Sequence, residues 1–300
     1  MNISGGASGS PILNYDGEAI GLLYSGGETF VNAVNINYII DALNDLENGR
    51  EPTRKHIGAV CDLYSLDKAK LYRGLSAESA EGYLKEFPDS KNKVLFVKSV
   101  INGTPAYGVL QNGDIIWEIN DKKVNSNLYE FDKCLSESKD EVKLKIFRSG
   151  EFKDISLATY DVNQNKVKEA IDFVGALIFK ADDCYAYSSG FKIGDLVVAK
   201  IKSSTPMDGV LGQSYDFCLM KFMGINGNEI KDLEGLKQYL ASLTKEQKYF
   251  TFKYINHSKY YTGYDELVTY SDGLKICDVN ADNSEYLYKE YRYVGDGLLA

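Results

Sequence analysis

The sequence is short of the residues that build metal sites and of the positive charge that nucleic-acid surfaces require. Its 300 residues include two histidines, one tryptophan and five cysteines, with no Cys-x-x-Cys pair. Scattered cysteines of odd number indicate reduced thiols rather than a disulfide framework, and no His/Cys group has metal-ligand spacing. The net charge of −9 argues against a general nucleic-acid binder, because phosphate contacts need a positive surface. We therefore expect no metal, no other cofactor and no nucleic-acid partner.

Long apolar runs are lacking as well. No stretch reaches the roughly 18 apolar residues that a membrane-spanning helix needs. The opening residues, MNISGGASGS, have neither the basic nor the apolar region of a signal peptide. The sequence thus predicts no membrane span and leaves the compartment unknown. Hydrophobic residues make up 44% and charged residues 26% of the chain, as in a globular protein, and its length suits two domains.

A serine flanked by glycines is the first feature that carries chemistry. Residues 5–13 read GGASGSPIL. Glycines allow a tight turn that exposes a hydroxyl and aims backbone N–H groups at one point, as an oxyanion hole requires. This pattern predicts Ser8 as a nucleophile, with the N–H groups of Gly6 and Ser8 as oxyanion donors. The alternative is a glycine-rich tail without a catalytic role.

Two other serine or glycine motifs do not fit the same residues. A hydrolase elbow of the type G-x-S-x-G is excluded because Ser10 stands at the position of its last glycine. A phosphate-binding loop is excluded because no lysine precedes Lys55.

Short apolar segments follow the serine. Pro11–Asn14 and Glu18–Tyr24 flank an Asp-Gly turn and predict a hairpin, and Thr29–Val34 is a third strand candidate. Asn37–Glu47 has the apolar spacing of an amphipathic helix. This order resembles the end of the protease domain in the HtrA/Deg family of trypsin-like serine proteases. That family shows an I-N-x-G-N-S-G-G-P run, a hairpin with a D/N-G turn and a closing helix.

The resemblance extends to Ile3, Gly6, Ser8, Gly9 and Pro11 of the run. It implies that residues 1–49 are the C-terminal remnant of a chymotrypsin-like β-barrel and that Ser8 is the nucleophile of a serine-type endopeptidase. The chain order in this class is His, Asp, Ser, and seven residues precede Ser8 here. A serine without an adjacent base is a weak nucleophile. We therefore expect this chain, as it stands, not to cleave peptides.

An internal repeat fills the remainder. VLFVKSVINGTPAYGVL at residues 94–110 matches DLVVAKIKSSTPMDGVL at residues 195–211, each running from an apolar strand into T-P-x-x-G-V-L. Upstream of each stands a similar pentapeptide, HIGAV at residues 56–60 and FVGAL at residues 173–177. An amphipathic helix and a closing strand follow in both copies. The repeat predicts a duplicated domain of about a hundred residues.

Both copies resemble the PDZ domains that follow the protease domain in HtrA/Deg enzymes. In that family a loop of the type apolar-Gly-apolar binds a peptide carboxylate or backbone, and the extended peptide adds as a strand opposite the long helix. The resemblance implies one set of peptide-binding residues in each copy. In the first copy they are Ile57, Gly58, Ala59, Val60, Phe131 and Leu135. In the second they are Val174, Gly175, Ala176, Leu177, Leu236 and Leu240. For the helix residues, core packing is the alternative.

These patterns predict a mainly β fold with helices (α+β), a barrel remnant followed by two PDZ-like domains. We expect the remnant at 1–49, linkers at 50–56 and 161–172, the first PDZ domain at 57–160, and the second with a C-terminal extension at 173–300. The expected function is that of the C-terminal portion of an HtrA/Deg-type serine endopeptidase in protein quality control. Its PDZ domains would bind unfolded or C-terminal peptide segments, and the intact protein would be a homo-oligomer.

Two alternatives stay open. The chain is a non-catalytic tandem-PDZ scaffold, or it is part of an active protease. Family members with a divergent second PDZ domain use it for assembly more than for substrate capture, and the sequence does not decide between these roles.

Overall fold

Short segments of alternating apolar residues give this chain a mainly antiparallel β architecture with six α-helices among the described residues, which confirms the predicted fold class. The structure is a computed structural model. It describes residues 6–26, 30–208, 220–243, 249–256, 273–280, 288–294 and 297–299. Among these residues, no helix is long and apolar enough to cross a membrane.

The first segment forms a three-stranded antiparallel sheet followed by a helix. The strands are β1 (Pro11–Leu13), β2 (Ala19–Gly26) and β3 (Val31–Asn35), in the order β1-β2-β3. Helix α1 (Ile36–Glu47) begins directly after β3, where the side chain of Asn35 accepts a hydrogen bond from the Asn37 N–H and caps the first turn. The predicted hairpin, third strand and helix are therefore all present. Among the described residues this sheet is open rather than a closed barrel.

A six-stranded sheet with helices follows. Its elements are β5 (Ala59–Ser65), α2 (Leu66–Arg73), α3 (Ala77–Glu86), β6 (Lys93–Val100), β7 (Ile115–Ile119), β8 (Lys122–Lys123), α4 (Leu128–Glu137), β9 (Glu141–Arg148) and β10 (Glu151–Ala158). The strand order is β10-β9-β7-β6-β5, with β8 paired to β7, so β5 is the end strand. The short strands β4 (Lys55–His56) and β11 (Tyr160–Asp161) pair with each other.

The second copy of the repeat lies in a nine-stranded sheet. Its elements are β12 (Glu169–Phe173), β13 (Ala176–Lys180), α5 (Asp183–Ser189), β14 (Leu196–Ile201), β15 (Met220–Ile225), β16 (Asn228–Glu229), α6 (Leu233–Ala241), β17 (Tyr249–Asn256), β18 (Gly273–Asn280), β19 (Tyr288–Val294) and β20 (Gly297–Leu299). The order is β18-β17-β15-β14-β13-β12-β19-β20, with β16 paired to β15. Residues 169–172 were expected in a linker. They form most of β12 because Ala170, Ile171 and Phe173 give this short segment an apolar character that suits a buried strand.

Contacts between Cα atoms divide the chain into two compact units. The first unit comprises Met1–Ile57, Cys61–Val97 and Gly113–Asp161. The second comprises Gly58–Val60, Lys98–Asn112 and Val162–Ala300. The domain boundaries inferred from the sequence stay a prediction.

Each unit has its own apolar core. In the first unit, a cluster joins α2 and α3 to the central strands; its buried members are Leu66, Ala69, Leu75, Ala80, Tyr83, Val94, Ile115, Trp117 and Phe147. In the second unit, a larger cluster joins β12–β15 and β17 to α6 and includes Phe173, Phe222 and Leu236. In the second unit the sheet face and the apolar stripe of α6 are thus buried in one cluster, while in the first unit this cluster is formed with α2 and α3.

The repeated sequence motifs meet at one turn. Gly58 has a positive φ of 89°, and its carbonyl accepts a hydrogen bond from the Ile101 N–H at 2.8 Å. The hydroxyl of Thr104, from the T-P motif, donates to the Ile101 carbonyl at 2.7 Å. The glycine loop and the T-P turn therefore form one hydrogen-bonded unit, which explains why the sequence repeats both.

The second copy repeats this arrangement. Gly175 has a φ of 97°, and its carbonyl accepts from the Lys202 N–H at 2.8 Å. The Thr205 hydroxyl donates to the Lys202 carbonyl at 2.6 Å. A Cβ on either glycine would lie 1.9 Å from the threonine Oγ1, so both positions accept glycine alone without a shift of the turn.

The first prediction concerns this turn. Gly58→Ala combines a clash against Thr104 with a left-handed backbone, and we expect it to destabilise the chain by about 2 kcal/mol or more. The measurement is the midpoint of urea unfolding. Gly82→Ala is the control, because an added Cβ there meets nothing within 4 Å, and alanine is favoured by about 0.5–1 kcal/mol within a helix. Equal effects of the two substitutions would contradict the prediction.

Candidate functional site

The predicted nucleophile lies in a tight glycine turn. Gly6 and Gly9 have φ values of 97° and 89°, and the Gly9 N–H donates to the Leu23 carbonyl at 2.7 Å, which ties the turn to β2. Ser8 is exposed, and its hydroxyl donates to the Tyr24 carbonyl at 3.4 Å. The turn thus presents the Ser8 hydroxyl to solvent.

The base that such a serine needs is not among the contacts of the described residues. His56 lies in β4, with its Nδ1 3.4 Å from the Tyr160 hydroxyl and the two rings edge to face. His257 lies outside the described residues. The roles of Ser8 as nucleophile and of Gly6 in an oxyanion hole stay predictions.

The first glycine loop leads into an end strand. Ile57 and Ala59 are buried, at 0% and 2% exposure, while Val60 is half-buried. β5 begins at Ala59 and stands at the end of its sheet. End strands carry a row of backbone N–H and C=O groups on one side that can pair with another strand. The loop and strand therefore have the order that peptide addition requires, and the binding role of Ile57–Val60 stays a prediction.

The helix residues expected to face the groove are instead fully buried. Phe131 and Leu135 of α4 are 1% and 0% exposed, so in this structure they pack as core residues. Their proposed role in peptide binding stays a prediction. The neighbouring Asp132 is half-buried and lies near Cys61 of β5, whose pKa is raised by burial and further by the Asp132 charge. Sequence analysis missed Asp132 because a carboxylate beside an apolar stripe ordinarily faces solvent.

Two Tyr-x-x-Asp segments hold α1 and α4 together. The Tyr38 hydroxyl of α1 donates to Asp132 Oδ2 of α4 at 2.5 Å. In return, the Tyr129 hydroxyl of α4 donates to Asp41 Oδ2 of α1 at 2.9 Å. The two rings pack edge to face with centroids 5.1 Å apart. We call these four residues the clasp.

A positively charged side chain lies beside the Tyr38–Asp132 contact of the clasp. The Arg54 guanidinium lies 4.8 Å from the Tyr38 ring centroid. Burial raises the pKa of Asp132, while the Tyr38 hydroxyl, His56 and Arg54 act in the opposite direction. Burial and the hydrogen bond to Asp132 both raise the pKa of Tyr38. The Tyr38 hydroxyl therefore stays the donor of this contact at neutral pH, and Asp132 is its acceptor.

A cavity of about 820 Å³ opens beside the clasp. Leu63 of β5, Leu128 and Tyr129 of α4, and Val34 and Tyr38 from the first segment line part of it. Its mixture of apolar and polar walls and its volume suit a peptide side chain or a short peptide segment. Within the described residues, no group of three or more His, Cys, Asp or Glu side chains could hold a metal ion.

The second glycine loop has a different setting. Val174 and Ala176 are buried at 2% and 0%, and Leu177 is half-buried. Leu236 and Leu240 of α6 belong to the core cluster. β13 lies between β12 and β14 rather than at the end of its sheet. The peptide-binding role inferred for these residues stays a prediction.

Comparison with known proteins gives one family model and several relatives. The PDZ domain model matches residues 72–147. The chain is 30% identical over 178 residues to "Uncharacterized protein RP187" of Rickettsia prowazekii, covering 56% of this chain and 91% of that protein. It is 28% identical over 190 residues to "Pro-apoptotic serine protease NMA111" of Debaryomyces hansenii, covering 61% of this chain and 19% of that protein. The chain thus spans less than a fifth of this yeast relative.

The comparison with solved structures gives matches to two HtrA-type proteins among others. "HtrA-type protease AlgW with decapeptide" matches with a TM-score of 0.32 and 15% identity, over 48% of this chain and 42% of that chain. The HtrA3 PDZ domain bound to a phage-derived ligand matches with a TM-score of 0.26 and 18% identity, over 37% of this chain and 90% of that chain.

The second prediction follows from the pKa of Asp132. Because this pKa is raised on folding, the folded chain holds the proton more tightly than the unfolded chain does. The resulting stabilisation is present at low pH and is lost as the pH rises through the folded-state pKa. Asparagine keeps an acceptor for Tyr38 without a buried charge, so we expect Asp132→Asn to be at least as stable as the parent at neutral pH.

The advantage of Asp132→Asn should shrink as the pH falls through the acid range, and urea unfolding from pH 7 to pH 4 measures it. Asp121→Asn, at an exposed position, is the control for removal of one negative charge. A loss of stability in Asp132→Asn that stays constant from pH 7 to pH 4 would contradict a raised pKa of Asp132 in the folded chain.

Proposed function

We propose that this chain is part of an HtrA-type protease and that the first copy of its repeat, which the PDZ domain model matches in part, binds extended peptides that end in a free carboxylate. The observation that carries the proposal is the position of β5. It is the end strand of its sheet and directly follows the glycine loop. A peptide would add beside β5 as a further strand, with its carboxylate at the loop.

The cavity supports this assignment. Leu63 of β5 and Leu128 of α4 supply apolar walls for alternate side chains of an added strand. The polar end of the cavity, with Asn125, Ser126 and Asn127, offers hydrogen-bonding groups for the peptide backbone or for polar side chains. Specificity would come from these walls, while the strand hydrogen bonds supply affinity that depends little on sequence.

For the intact protein, we propose the role of an HtrA-type serine endopeptidase in protein quality control, with unfolded or C-terminal segments as substrates. Support comes from the exposed Ser8 in its glycine turn and from the yeast serine proteases among the relatives. A homo-oligomeric state is part of this proposal and rests on the family resemblance. The second candidate is a non-catalytic peptide-binding scaffold. The pairing of the Ser8 hydroxyl with the Tyr24 carbonyl, and of His56 with Tyr160, favours it.

Peptide binding is tested with a pool of decapeptides whose last four residues are randomised. We expect the immobilised chain to retain members with a free carboxylate and an apolar last residue, and to release the same pool carrying C-terminal amides. Leu63→Lys should lower retention about tenfold or more, since it places a charge in the cavity wall. Leu71→Lys, on the exposed face of α2, should leave retention unchanged. Equal retention by both variants, or no retention by the parent, would refute the proposal.

Catalysis is tested with fluorescein-labelled unfolded casein. We expect no turnover by this chain, because the Ser8 hydroxyl is paired with a carbonyl rather than with a base. Parallel assays use Ser8→Ala and, as the matched control, Ser10→Ala, an exposed serine of the same turn. Turnover that Ser8→Ala abolishes and Ser10→Ala retains would overturn the scaffold assignment and establish Ser8 as the nucleophile.

A further inference from the structure

The two copies of the repeat differ at the strand that follows the glycine loop. In the first copy this strand, β5, ends its sheet. In the second copy the corresponding strand, β13, is paired on both sides, with β14 on one and β12 on the other. The side of β13 on which a peptide would add is therefore already occupied by the chain's own β12.

The pairing of β12 has the direction and register of an added peptide. It is antiparallel to β13, with Ala170 opposite Phe179, Ile171 opposite Ile178 and Phe173 opposite Ala176. β12 thus ends beside the glycine loop, where a peptide's carboxyl end would lie. Its last residue, Phe173, is the nearest to that loop.

The side chains of β12 fill the space between the sheet and α6. Ile171 and Phe173, two residues apart and so on the same face, are 1% and 0% exposed. Both belong to the cluster that contains Leu236 and Leu240 of α6. The Phe173 ring packs edge to face on Phe250, with centroids 5.0 Å apart. The two leucines expected to receive a peptide are therefore already buried in one cluster with apolar side chains of β12.

A carboxylate occupies the glycine loop as well. The Gly175 N–H donates to Asp172 Oδ1 at 3.1 Å, and the other oxygen of Asp172 pairs with the Lys202 ammonium. At the opposite end of β12, Glu169 pairs with Lys237 of α6 at 2.9 Å. β12 thus supplies each part that a bound peptide would supply: a paired backbone strand, buried apolar side chains and a carboxylate at the glycine loop.

The turn between β12 and β13 has a strained backbone, and such a conformation persists only where the surrounding structure stabilises it. Val174 has a φ of 48°, a left-handed conformation that β-branched residues rarely adopt. Its carbonyl accepts from the Met207 N–H at 3.2 Å. Because β12 also pairs with β19 on its far side, it is a resident strand rather than a loosely held arm.

We infer that β12 is a built-in ligand of the second unit, with Asp172 in the place of the peptide carboxylate at Gly175. Peptide capture then falls to the first copy of the repeat alone. The term ligand rests on the proposed function, peptide binding at the glycine loop. The first test below does not depend on peptide binding.

Hydrogen exchange of the full chain without peptide is the first test. We expect the amides of β12 and β13 to be protected as strongly as those of β14. Asp172→Ala should speed exchange of the Gly175 amide about tenfold or more, since a charge-assisted hydrogen bond is lost. Glu229→Ala, which removes an exposed acid of the same unit, should leave it unchanged. Rapid exchange of β12 in the parent, or an unchanged Gly175 amide in Asp172→Ala, would overturn the inference.

The second test is binding of a fluorescein-labelled peptide with a free carboxylate and the sequence Lys-Glu-Ala-Ile-Asp-Phe, which is β12 preceded by Lys168. We expect Leu63→Lys to abolish its binding to the chain, since the remaining glycine loop is occupied. One peptide bound per Leu63→Lys chain, lost again on Lys237→Glu, would overturn the inference. Failure of the parent to bind any peptide would instead refute the proposed function and leave hydrogen exchange to decide the status of β12.

Discussion

The main constraint on this chain is that the backbone N–H and C=O groups of the strand after each glycine loop need hydrogen-bond partners. A strand in a sheet has N–H and C=O groups on both sides, and a side that lacks a partner strand is a template for pairing. β13 meets this requirement within the chain, through β12. β5 stands at the end of its sheet in the strand order, and the glycine loop directly precedes it. The two copies of the duplicated sequence therefore differ in where the strand after the glycine loop stands in its sheet.

The contact between glycine and threonine is what the two copies of the repeat share. Gly58 and Gly175 each have a positive φ, and each lies so close to the threonine of a T-P turn that a Cβ would overlap its hydroxyl. The turn shapes the loop whether or not a ligand strand is present. The second copy therefore needs the glycine and the T-P turn for the structure of its loop. Their presence there does not by itself indicate peptide binding.

Much of the fold could be predicted from the sequence because the relevant signals are local. The Asp-Gly hairpin, the apolar spacing of α1, α4 and α6, and the repeated T-P turns each depend on a few neighbouring residues. β12 was missed because five residues, EAIDF, include two acids and read as a linker; its strand character comes from pairing with β13 and β19. Asp132 was missed because its partners, Tyr38 and Cys61, are distant in sequence and the contact exists only in the folded chain.

The clasp also explains how α1 is held in the first unit. An amphipathic helix is ordinarily fixed by its apolar face. In α1, however, Ile40, Leu43 and Leu46 are 46%, 51% and 59% exposed. Tyr38 and Asp41 of α1 instead form hydrogen bonds with side chains of α4. Hydrogen bonds are directional where apolar contacts are not, so this attachment fixes the orientation of α1 more than its affinity for the unit. Because Asp132 accepts from the Tyr38 hydroxyl and Asp41 accepts from the Tyr129 hydroxyl, each helix supplies one donor and one acceptor, and the two reciprocal bonds together set how α1 lies on α4.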